Sequence, residues 1–435
     1  MVALATTAII IVVWAAFSAP LDRRGITSAM VFTAAGCVAG ASVLGVLKGS
    51  LESATAERVT ELALVLLLFS DAARLDLVAL RHELGWPSRL LLIGLPLTML
   101  AGGGVGVLVF PGMALASVVL LSTMLASTDA ALGQRVVTDT SVPARVRQAL
   151  DVESGLNDGL AVPFFLVALD VANAELKTGV TWAVVSNAAA QIGWGIAVGL
   201  VAGVLGAVLV RASGRRGWIG GEWRQTLPFA AALLAYALAM QLGGSAFIAA
   251  FVGGMAFGRF AGRRSSDATL FTEEAGGLLA AVTWIGFGAL ALSWAVPHVT
   301  WRVAIYAVLS LTVVRMVPVA IAMMGRGVQP PTVAFIGWFG PRGLASVVFG
   351  LLVLERGVPE EQTLLTTVVL TVALSVLLHG LSSTPLVGVY QRWYDSHAVA
   401  HPKAEETAPA TMPRRRRQRA VFASEPPHAV DRQGS

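Results

Sequence analysis

Residues 151–169 read DVESGLNDGLAVPFFLVAL, a mostly apolar stretch that nevertheless carries Asp151, Glu153 and Asp158. Its length suits a membrane helix, because about 20 helical residues cross the hydrocarbon core of a bilayer. One charged residue at the centre of such a helix costs about 2.5–3.5 kcal/mol on insertion scales. Acidic residues that persist at this cost are paired or functional, so the stretch indicates where the chain does its chemistry.

The composition of the whole chain also indicates a membrane protein. Of its 435 residues, 56% are hydrophobic and only 13% are charged, whereas a soluble domain carries about 25% charged residues. So few charges cannot coat a water-soluble globule, and apolar runs of membrane-spanning length recur along the chain. The sequence predicts an all-α polytopic membrane protein with about 13 transmembrane helices. The predicted segments are 3–18, 26–47, 60–80, 90–110, 113–138, 148–170, 180–210, 226–243, 245–259, 269–296, 302–324, 332–355 and 363–389.

Charge in the connections predicts the orientation of the chain. Arg and Lys concentrate in the connections on the side of the C-terminus, and such residues are retained in the cytoplasm. The N-terminus is therefore expected outside and the C-terminus in the cytoplasm, most simply at the plasma (inner) membrane. We expect a membrane domain at 1–395 and a disordered, basic cytoplasmic tail at 396–435. Its arginine block, 414–417, is explained as a solvated topology anchor without a nucleic-acid partner.

Helical spacing sorts the polar residues of the sixth segment into two pairs. Ser154 and Asp158 are four apart and share one face, whereas Glu153 and Asn157 share the adjacent face. A carboxylate one turn from a hydroxyl resembles an oxygen cage for a hard monovalent cation. Glu153 is predicted to be structural and to form an ion pair with Arg342. Asp151, near the start of the helix, is interpreted as structural.

Two segments carry residues that interrupt helices at membrane depth. The fifth contains LLSTMLASTDAALGQRVV (120–137), in which Ser, Thr and Asp compete with the backbone for hydrogen bonds. The twelfth contains FIGWFGPRGLASVVFGLL (335–352), whose Pro341 lacks an amide donor. Interrupted segments at corresponding places in two halves indicate a transporter. They predict two inverted six-helix repeats, linked by the seventh segment.

Two further charged residues, Asp71 and Arg315, lie within predicted membrane segments. Asp71 lies three residues before Arg74, so it could pair locally with that arginine or serve as a further ligand. The sequence leaves both alternatives open. Arg315 has no partner that spacing alone identifies.

Four stretches together resemble a known family. They are STDAALGQ (127–134), RVRQALDVESGLNDG (145–159), GWFGPRGLASVVFG (337–350) and LLLFSDAARLDL (66–77). Over residues 1–390 the chain resembles a sodium/proton exchanger of the monovalent cation:proton antiporter branch of the cation/proton antiporter superfamily. One departure from the family pattern is Ala130, where many relatives have proline after the Thr-Asp pair.

The resemblance implies a homodimer in the lipid bilayer, with two crossed unwound helices and one carboxylate that binds a cation and protons in turn. That carboxylate is Asp158, and Asn157 before it marks the branch that resembles electroneutral exchangers. The implied cation- or proton-binding residues are Asp158, Asp129, Thr128, Ser154, Asn157 and Asp71, with Asp158, Ser154 and Thr128 as the ligands of the metal ion. Glu153 and Arg342 would form the structural ion pair.

These features predict a secondary antiporter, not an enzyme, that exchanges sodium (or potassium or lithium) for protons and needs no cofactor. A proton and a cation compete for Asp158, and alternating access exposes it to each side. Two alternatives stay open. One is a sodium-coupled symporter of an organic anion with the same architecture. The other is an intramembrane aspartyl protease that uses Asp129 and Asp158, although such proteases usually carry a Gly-x-Gly-Asp pattern that residues 155–158 do not match.

Overall fold

The structure of the chain is a computed structural model that describes most of the sequence. It describes residues 1–41, 43–47, 49, 54–75, 85–177, 181–262, 268–401 and 405–407. Within these ranges the secondary structure is helical, apart from one isolated bridge between Gly40 and Leu47. The predicted all-α class is therefore confirmed for this part of the chain. The end of the predicted 60–80 segment and the arginine block 414–417 lie outside the described residues.

The helices are numbered in chain order. The first half contains α1 (Val2–Arg23), α2 (Ser28–Ala39), α3 (Ala54–Arg74), α4 (Trp86–Val109), α5 (Leu115–Met124), α6 (Gln134–Thr138), α7 (Ala144–Lys177) and α8 (Trp182–Arg215). The second half contains α9 (Gly221–Gln241), α10 (Ala246–Ala261), α11 (Leu270–His298), α12 (Trp301–Leu311), α13 (Val313–Met323), α14 (Pro330–Trp338), α15 (Leu344–Arg356) and α16 (Glu361–Ala400). Helices α4 and α11 each contain a π-helical stretch, at Leu90–Gly94 and Phe287–Leu292.

Length and composition identify the helices that can cross a membrane. Seven helical stretches of the described chain are long and apolar enough, namely α1, α4, α7, α8, α11, α12 with α13, and α16. Shorter apolar helices are α2, α5 and α10. This pattern is that of a multi-pass membrane protein. The number thirteen, the inverted repeats, the orientation and the homodimer stay predictions.

Contacts among the helices divide them into two bundles. Bundle A consists of α1–α3 and α8–α11, with α10 packed closely on α8 and α3. Bundle B consists of α4–α7 and α12–α16, with α5 packed on α4 and α7 and with α16 packed on α12 and α15. The bundles meet at a junction where α3 contacts α7 and α15 and where α10 contacts α7. Polar residues of the candidate site lie on both sides of this junction.

Small residues allow the helices of bundle A to approach closely. A Cβ atom at Gly203 of α8 would overlap the carbonyl group of Gly253 on α10, and a Cβ atom at Gly258 would overlap that of Ala73 on α3. Helices in a bilayer associate largely through such close packing, because lipid chains are as apolar as leucine side chains. The glycines of α8 and α10 thus fix the interior of bundle A.

Helix α2 ends earlier than the sequence indicates. The apolar run 26–47 predicts a helix over its whole length, but α2 ends at Ala39. The chain then turns back, and the amides of Val46 and Leu47 donate to the Ala39 carbonyl at 3.0 and 2.8 Å. Gly45 has a φ of 62° in this turn, which glycine adopts without the steric cost of a Cβ. Hydrophobicity alone does not distinguish such an apolar turn from a helix.

The structure also changes the predicted start of the tail. Helix α16 continues to Ala400, beyond the predicted boundary at residue 395. Residues Glu405–Thr407 form a short 3-10 turn. Part of the region predicted to be disordered is therefore ordered, while residues 408–435 lie outside the described chain.

This 3-10 turn packs against the N-terminal ends of two helices of bundle B. Arg145, at the start of α7, forms an ion pair with Glu405 and also lies 4.7 Å from the centre of the Trp86 ring. The backbone amide of Gln329, which caps α14, donates to Glu406 Oε1 at 2.6 Å. A carboxylate at this position stabilises the positive end of the helix dipole. The buried Glu406 thus caps α14 from a distant part of the chain.

Replacing Glu406 by alanine is expected to loosen the start of α14. The loss of a helix cap destabilises a helix by about 0.5–2 kcal/mol, so hydrogen exchange at the Gln329 amide should accelerate by roughly 2- to 30-fold. The control is Glu405→Ala, which removes a partly exposed ion pair and should change this exchange rate by less than about threefold. Equal acceleration in both variants would contradict the capping role of Glu406.

Candidate functional site

Two helices of bundle B are interrupted, and the interruptions touch each other. The first break spans 125–133, between α5 and α6, and the second break spans 339–343, between α14 and α15. They meet where the Asp129 amide donates to the Pro341 carbonyl at 2.8 Å. Both predicted breaks are confirmed. The first forms even though Ala130 replaces the proline that many relatives have.

The guanidinium group of Arg342 binds the first break through carbonyl groups. Its Nη1 donates to the carbonyl oxygens of Ala126 at 2.6 Å and Ser127 at 3.1 Å. Its backbone amide donates to Ser375 Oγ on α16 at 2.7 Å. Carbonyl groups at the C-terminal end of a helix lack helical partners and carry partial negative charge. The buried positive charge of Arg342 therefore compensates carbonyl groups at the end of α5.

Asp129 makes the reciprocal contact from the first break to the second. Its Oδ2 accepts a hydrogen bond from the amide of Leu344, the first residue of α15, at 2.9 Å. Its Oδ1 accepts from the amides of Ala131 at 2.7 Å and Leu132 at 3.2 Å. The carboxylate therefore compensates the positive end of α15. Its additional role in binding a cation or proton stays a prediction.

Two glycines of the second break leave room for these charged side chains. A Cβ atom at position 343 would overlap the carboxylate of Asp129, and one at position 340 would overlap the guanidinium of Arg315. Gly340 and Gly343 are thus required by close approach at two ends of a five-residue break. Each residue of the GPRG sequence thus has a distinct contribution. The two glycines leave space, the Pro341 carbonyl accepts a hydrogen bond, and Arg342 supplies a positive charge.

The structural ion pair of Glu153 is formed with Arg315, and the predicted pair with Arg342 is wrong. Arg315 Nη1 lies 2.5 Å from Glu153 Oε1, and Nη2 lies 2.8 Å from Oε2. Both residues are buried, at 1% and 2% exposure. Arg342 instead directs its Nη1 to backbone carbonyl groups of the first break. The two-point geometry orients Glu153 firmly and keeps α7 attached to α13.

Spacing could not reveal this pair, because Glu153 and Arg315 lie 162 positions apart in the chain. A different signal was available in the sequence. An arginine in the middle of an apolar segment is as costly as the acid itself, so an intramembrane arginine without a local partner calls for a distant acid. Arg315 was the arginine without an assigned role, and Glu153 was the acid predicted to need a cation.

Asn157 and Thr128 connect α7 to the first break. Asn157 Nδ2 donates to Thr128 Oγ1 at 3.0 Å and lies 3.5 Å from the carbonyl oxygen of Ala126. Both side chains are buried. The amide thus positions α7 against the carbonyl groups of the break, and the structure brings these two predicted site residues into direct contact.

Within the described part of the chain, the Asp158 side chain on α7 has a buried oxygen atom without a hydrogen bond. Its Oδ1 is buried and has no hydrogen-bond partner among the described residues. Ser154 lies one helical turn earlier on the same face of α7 and is itself buried. An ionised carboxylate that is buried without a partner is very unfavourable. The role of Asp158 in binding a cation or proton stays a prediction.

Asp71 lies on α3 of bundle A, across the junction from Asp158 and within electrostatic range of it. Arg74, one turn further along α3, forms its ion pair with Glu273 on α11. The charge of Asp71 also acts on Arg74. Asp71 is therefore within electrostatic range of both Asp158 and Arg74, and its role as a ligand stays a prediction.

A crevice lies beside Ser154, between α7 and the first break. It has room for about one water molecule and is lined on one side by Asp151 and Ser154 and on the other by Ala130 and Gly133. Phe339 of the second break also borders it. The crevice thus links the N-terminal end of α7 to the side-chain hydroxyl that lies one turn from Asp158.

The profile of the transmembrane sodium/hydrogen exchanger family matches residues 7–389, which is most of the chain. The chain belongs to the sodium/hydrogen exchanger family. The four motifs that carried the resemblance all lie within the matched region. The two breaks and α7, which carry the candidate site residues, also lie within the matched region.

Curated relatives of this exchanger-family chain are distant. A Na(+)/H(+) antiporter of Schizosaccharomyces pombe is 25% identical over 324 residues, which cover 66% of this chain and 68% of the relative. A K(+)/H(+) antiporter, NhaP, of Alkalimonas amylolytica is 26% identical over 395 residues, covering 89% of this chain and 66% of the relative. The chain thus spans about two thirds of the length of the relatives that it matches.

A solved structure shares the fold of this exchanger-family chain. The sodium proton antiporter MjNhaP1 of Methanocaldococcus jannaschii superposes with a TM-score of 0.70 and 18% sequence identity. The match covers 87% of this chain and 98% of that antiporter. At this identity the similarity establishes the fold alone.

Three side chains of this exchanger-family chain, which the sequence analysis did not identify, form hydrogen bonds with backbone groups at or beside the breaks. Ser346 Oγ donates to the carbonyl of Met124 at 2.7 Å, and Ser375 accepts from the amide of Arg342. His379 Nε2 lies 2.8 Å from the carbonyl oxygen of Trp338, at the end of α14. Ser375 and His379 are four residues apart on α16. That spacing of polar residues on one face could have identified α16 as the helix that holds the second break.

Proposed function

We propose that the chain is a secondary antiporter that exchanges a monovalent alkali cation for protons. The observation that carries the proposal is the buried, unpartnered Oδ1 of Asp158 beside the Ser154 crevice. Family membership supports it, and so do relatives described as Na(+)/H(+) and K(+)/H(+) antiporters. Among the alkali cations we propose sodium as the principal substrate.

Competition at one carboxylate would couple the two ions. Burial favours the neutral, protonated form of a carboxyl group, whereas an adjacent cation favours the ionised form. Asp158 would thus hold either one proton or one alkali cation, with Ser154 and Thr128 as further oxygen ligands. Each exchange would replace one positive charge by another, so the cycle is proposed to be electroneutral. Asn157 fits this proposal because its side chain carries no charge and is bonded to Thr128.

Alternating access would arise from motion of bundle B relative to bundle A. Asp158 lies on α7, which is one of the helices that form the junction between the bundles. Rocking of one bundle of a transporter against the other exposes a fixed site to each side in turn. The paired breaks, held together through Asp129 and Arg342, would carry the site as one rigid unit. We place this cycle in the plasma membrane, with the N-terminus outside.

The proposal predicts proton movement driven by alkali cations. Purified protein in liposomes that enclose a pH-sensitive dye should change the internal pH when sodium, potassium or lithium chloride is added, with the largest initial rate for sodium. Electroneutrality is tested with the membrane potential clamped at zero or at about −100 mV by potassium and valinomycin. For an electroneutral exchanger, the initial rate of pH change should differ by less than about twofold between the two potentials. No pH change with any alkali cation would overturn the proposed function, whereas a strong dependence on potential would overturn only its electroneutral form.

A further inference from the structure

Three oxygen-bearing side chains follow one stripe of α7. Asp151, Ser154 and Asp158 occupy positions i, i+3 and i+7, which lie on one face of an α-helix. With a rise of 1.5 Å per residue, Asp151 precedes Asp158 by about 10 Å along the helix axis. A carboxylate, a hydroxyl and a second carboxylate thus succeed one another from the N-terminal end of α7 towards the middle of the helix.

The crevice joins the first two of these side chains. Asp151 and Ser154 line the same empty space, opposite residues of the first break. Ser154 is 7% exposed, and among the described residues its hydroxyl has no hydrogen-bond partner. The crevice has room for about one water molecule beside these side chains. An alkali cation that enters here would keep part of its hydration shell and find oxygen ligands at each step.

We propose that Asp151 is the first binding station for the alkali cation on the cytoplasmic route to Asp158. This inference deepens the proposed function and rests on it. The station takes a partly hydrated monovalent cation through the Asp151 carboxylate, and Ser154 passes it to Asp158. Asp151 is thus a residue that sets the affinity from one side of the membrane, while Asp158 remains the site of exchange.

The neighbouring charges suit a station that releases its ion. Arg74 of α3, already paired with Glu273, is within electrostatic range of Asp151 on α7 and of Asp71 on its own helix. A nearby positive charge weakens the binding of a second cation to the same carboxylate. A cation is therefore attracted to Asp151 without being retained there, as conduction through successive sites requires.

The test is the substitution Asp151→Asn, measured in everted and right-side-out membrane vesicles. Two unit charges 10 Å apart interact, at effective dielectric constants of 80 to 20, by an energy that corresponds to about a 2- to 17-fold change in binding. In everted vesicles at low ionic strength, the KM for sodium should rise by about this factor, with Vmax changed less than twofold. The rise should shrink at high concentrations of choline chloride. In right-side-out vesicles, sodium added outside should show an unchanged KM.

Matched variants separate this role from a structural one. Asp395→Asn removes an exposed carboxylate from α16 on the same proposed side and should leave the KM within about 1.5-fold of the unaltered protein. Asp151→Glu retains the charge and should restore the KM, while Asp151→Ser should reproduce the shift if the asparagine variant fails to fold. An unchanged KM in an active Asp151→Asn or Asp151→Ser variant would overturn the station alone. Absence of exchange in the unaltered protein would overturn the proposed function instead.

Discussion

Replacing Asp158 by asparagine is expected to reduce alkali-cation/proton exchange to the background rate of empty liposomes. Asparagine has nearly the same shape, but its amide neither ionises nor carries a proton at neutral pH. The protein should still fold, because Asp158 Oδ1 has no hydrogen-bond partner to lose among the described residues. The measurement is the initial rate of internal pH change in proteoliposomes, normalised to monodisperse protein.

The matched control is Asp170→Asn, the same substitution on the same helix. Asp170 Oδ2 accepts a hydrogen bond from Gln191 Nε2 at 3.0 Å, far from the two breaks, and the variant should retain exchange within about twofold of the unaltered protein. A second readout is stabilisation by sodium, which for a folded-state ligand at 100 times its Kd amounts to about 2.7 kcal/mol. This stabilisation should vanish in Asp158→Asn. Sodium-driven proton flux that survives the substitution would refute the assignment of Asp158.

Replacing Arg315 by methionine is expected to cause the largest loss of stability that we predict. The substitution leaves the carboxylate of Glu153 buried without its two-point partner. Removing one member of a buried ion pair typically costs about 3–5 kcal/mol, because the remaining charge is uncompensated. The free energy of unfolding, measured by chemical denaturation in mild detergent, should fall by about this amount.

Double variants distinguish the observed pair from the one that the sequence predicted. Combining Glu153→Leu with Arg315→Met should recover most of the lost stability, since apolar residues of similar volume often replace a buried pair without net cost. Arg342→Met should also destabilise, because it removes hydrogen bonds to the first break. The coupling energy between Arg342→Met and Glu153→Leu should nevertheless stay below about 1 kcal/mol. The coupling energy between Arg315→Met and Glu153→Leu should exceed about 2 kcal/mol. A larger coupling for Arg342 would contradict the pairing described here.

Local chemistry explains why the two breaks could be predicted. Pro341 lacks an amide donor, and the Ser-Thr-Asp sequence at 127–129 competes with the helix backbone for hydrogen bonds. Both effects act within a few residues, so they are visible in the sequence at the place where they operate. Helical spacing likewise placed Ser154 and Asp158 on one face, because four residues complete about one turn.

Long-range contacts explain what the sequence could not provide. Glu153 had two candidate arginines in distant segments, and nothing in their spacing indicated which guanidinium would reach it. The role of Asp129 as a cap for α15 depends on the contact between the two breaks, which is a property of the assembled bundle. The prediction of one helix over 26–47 failed for a different reason. The residues of the turn after Ala39 are mostly apolar, like those of the helix before it.

The contact between the two breaks has a consequence for biogenesis. Asp129 and its partner Leu344 lie 215 positions apart, and ribosomes synthesise about 5–20 residues per second. For roughly 10–40 s, the first half of a nascent chain therefore waits in the bilayer with polar groups that only the second half can satisfy. A fragment that stops after α8 should thus be a substrate for membrane proteases. Its survival would depend on prompt delivery of the remaining helices by the insertion machinery.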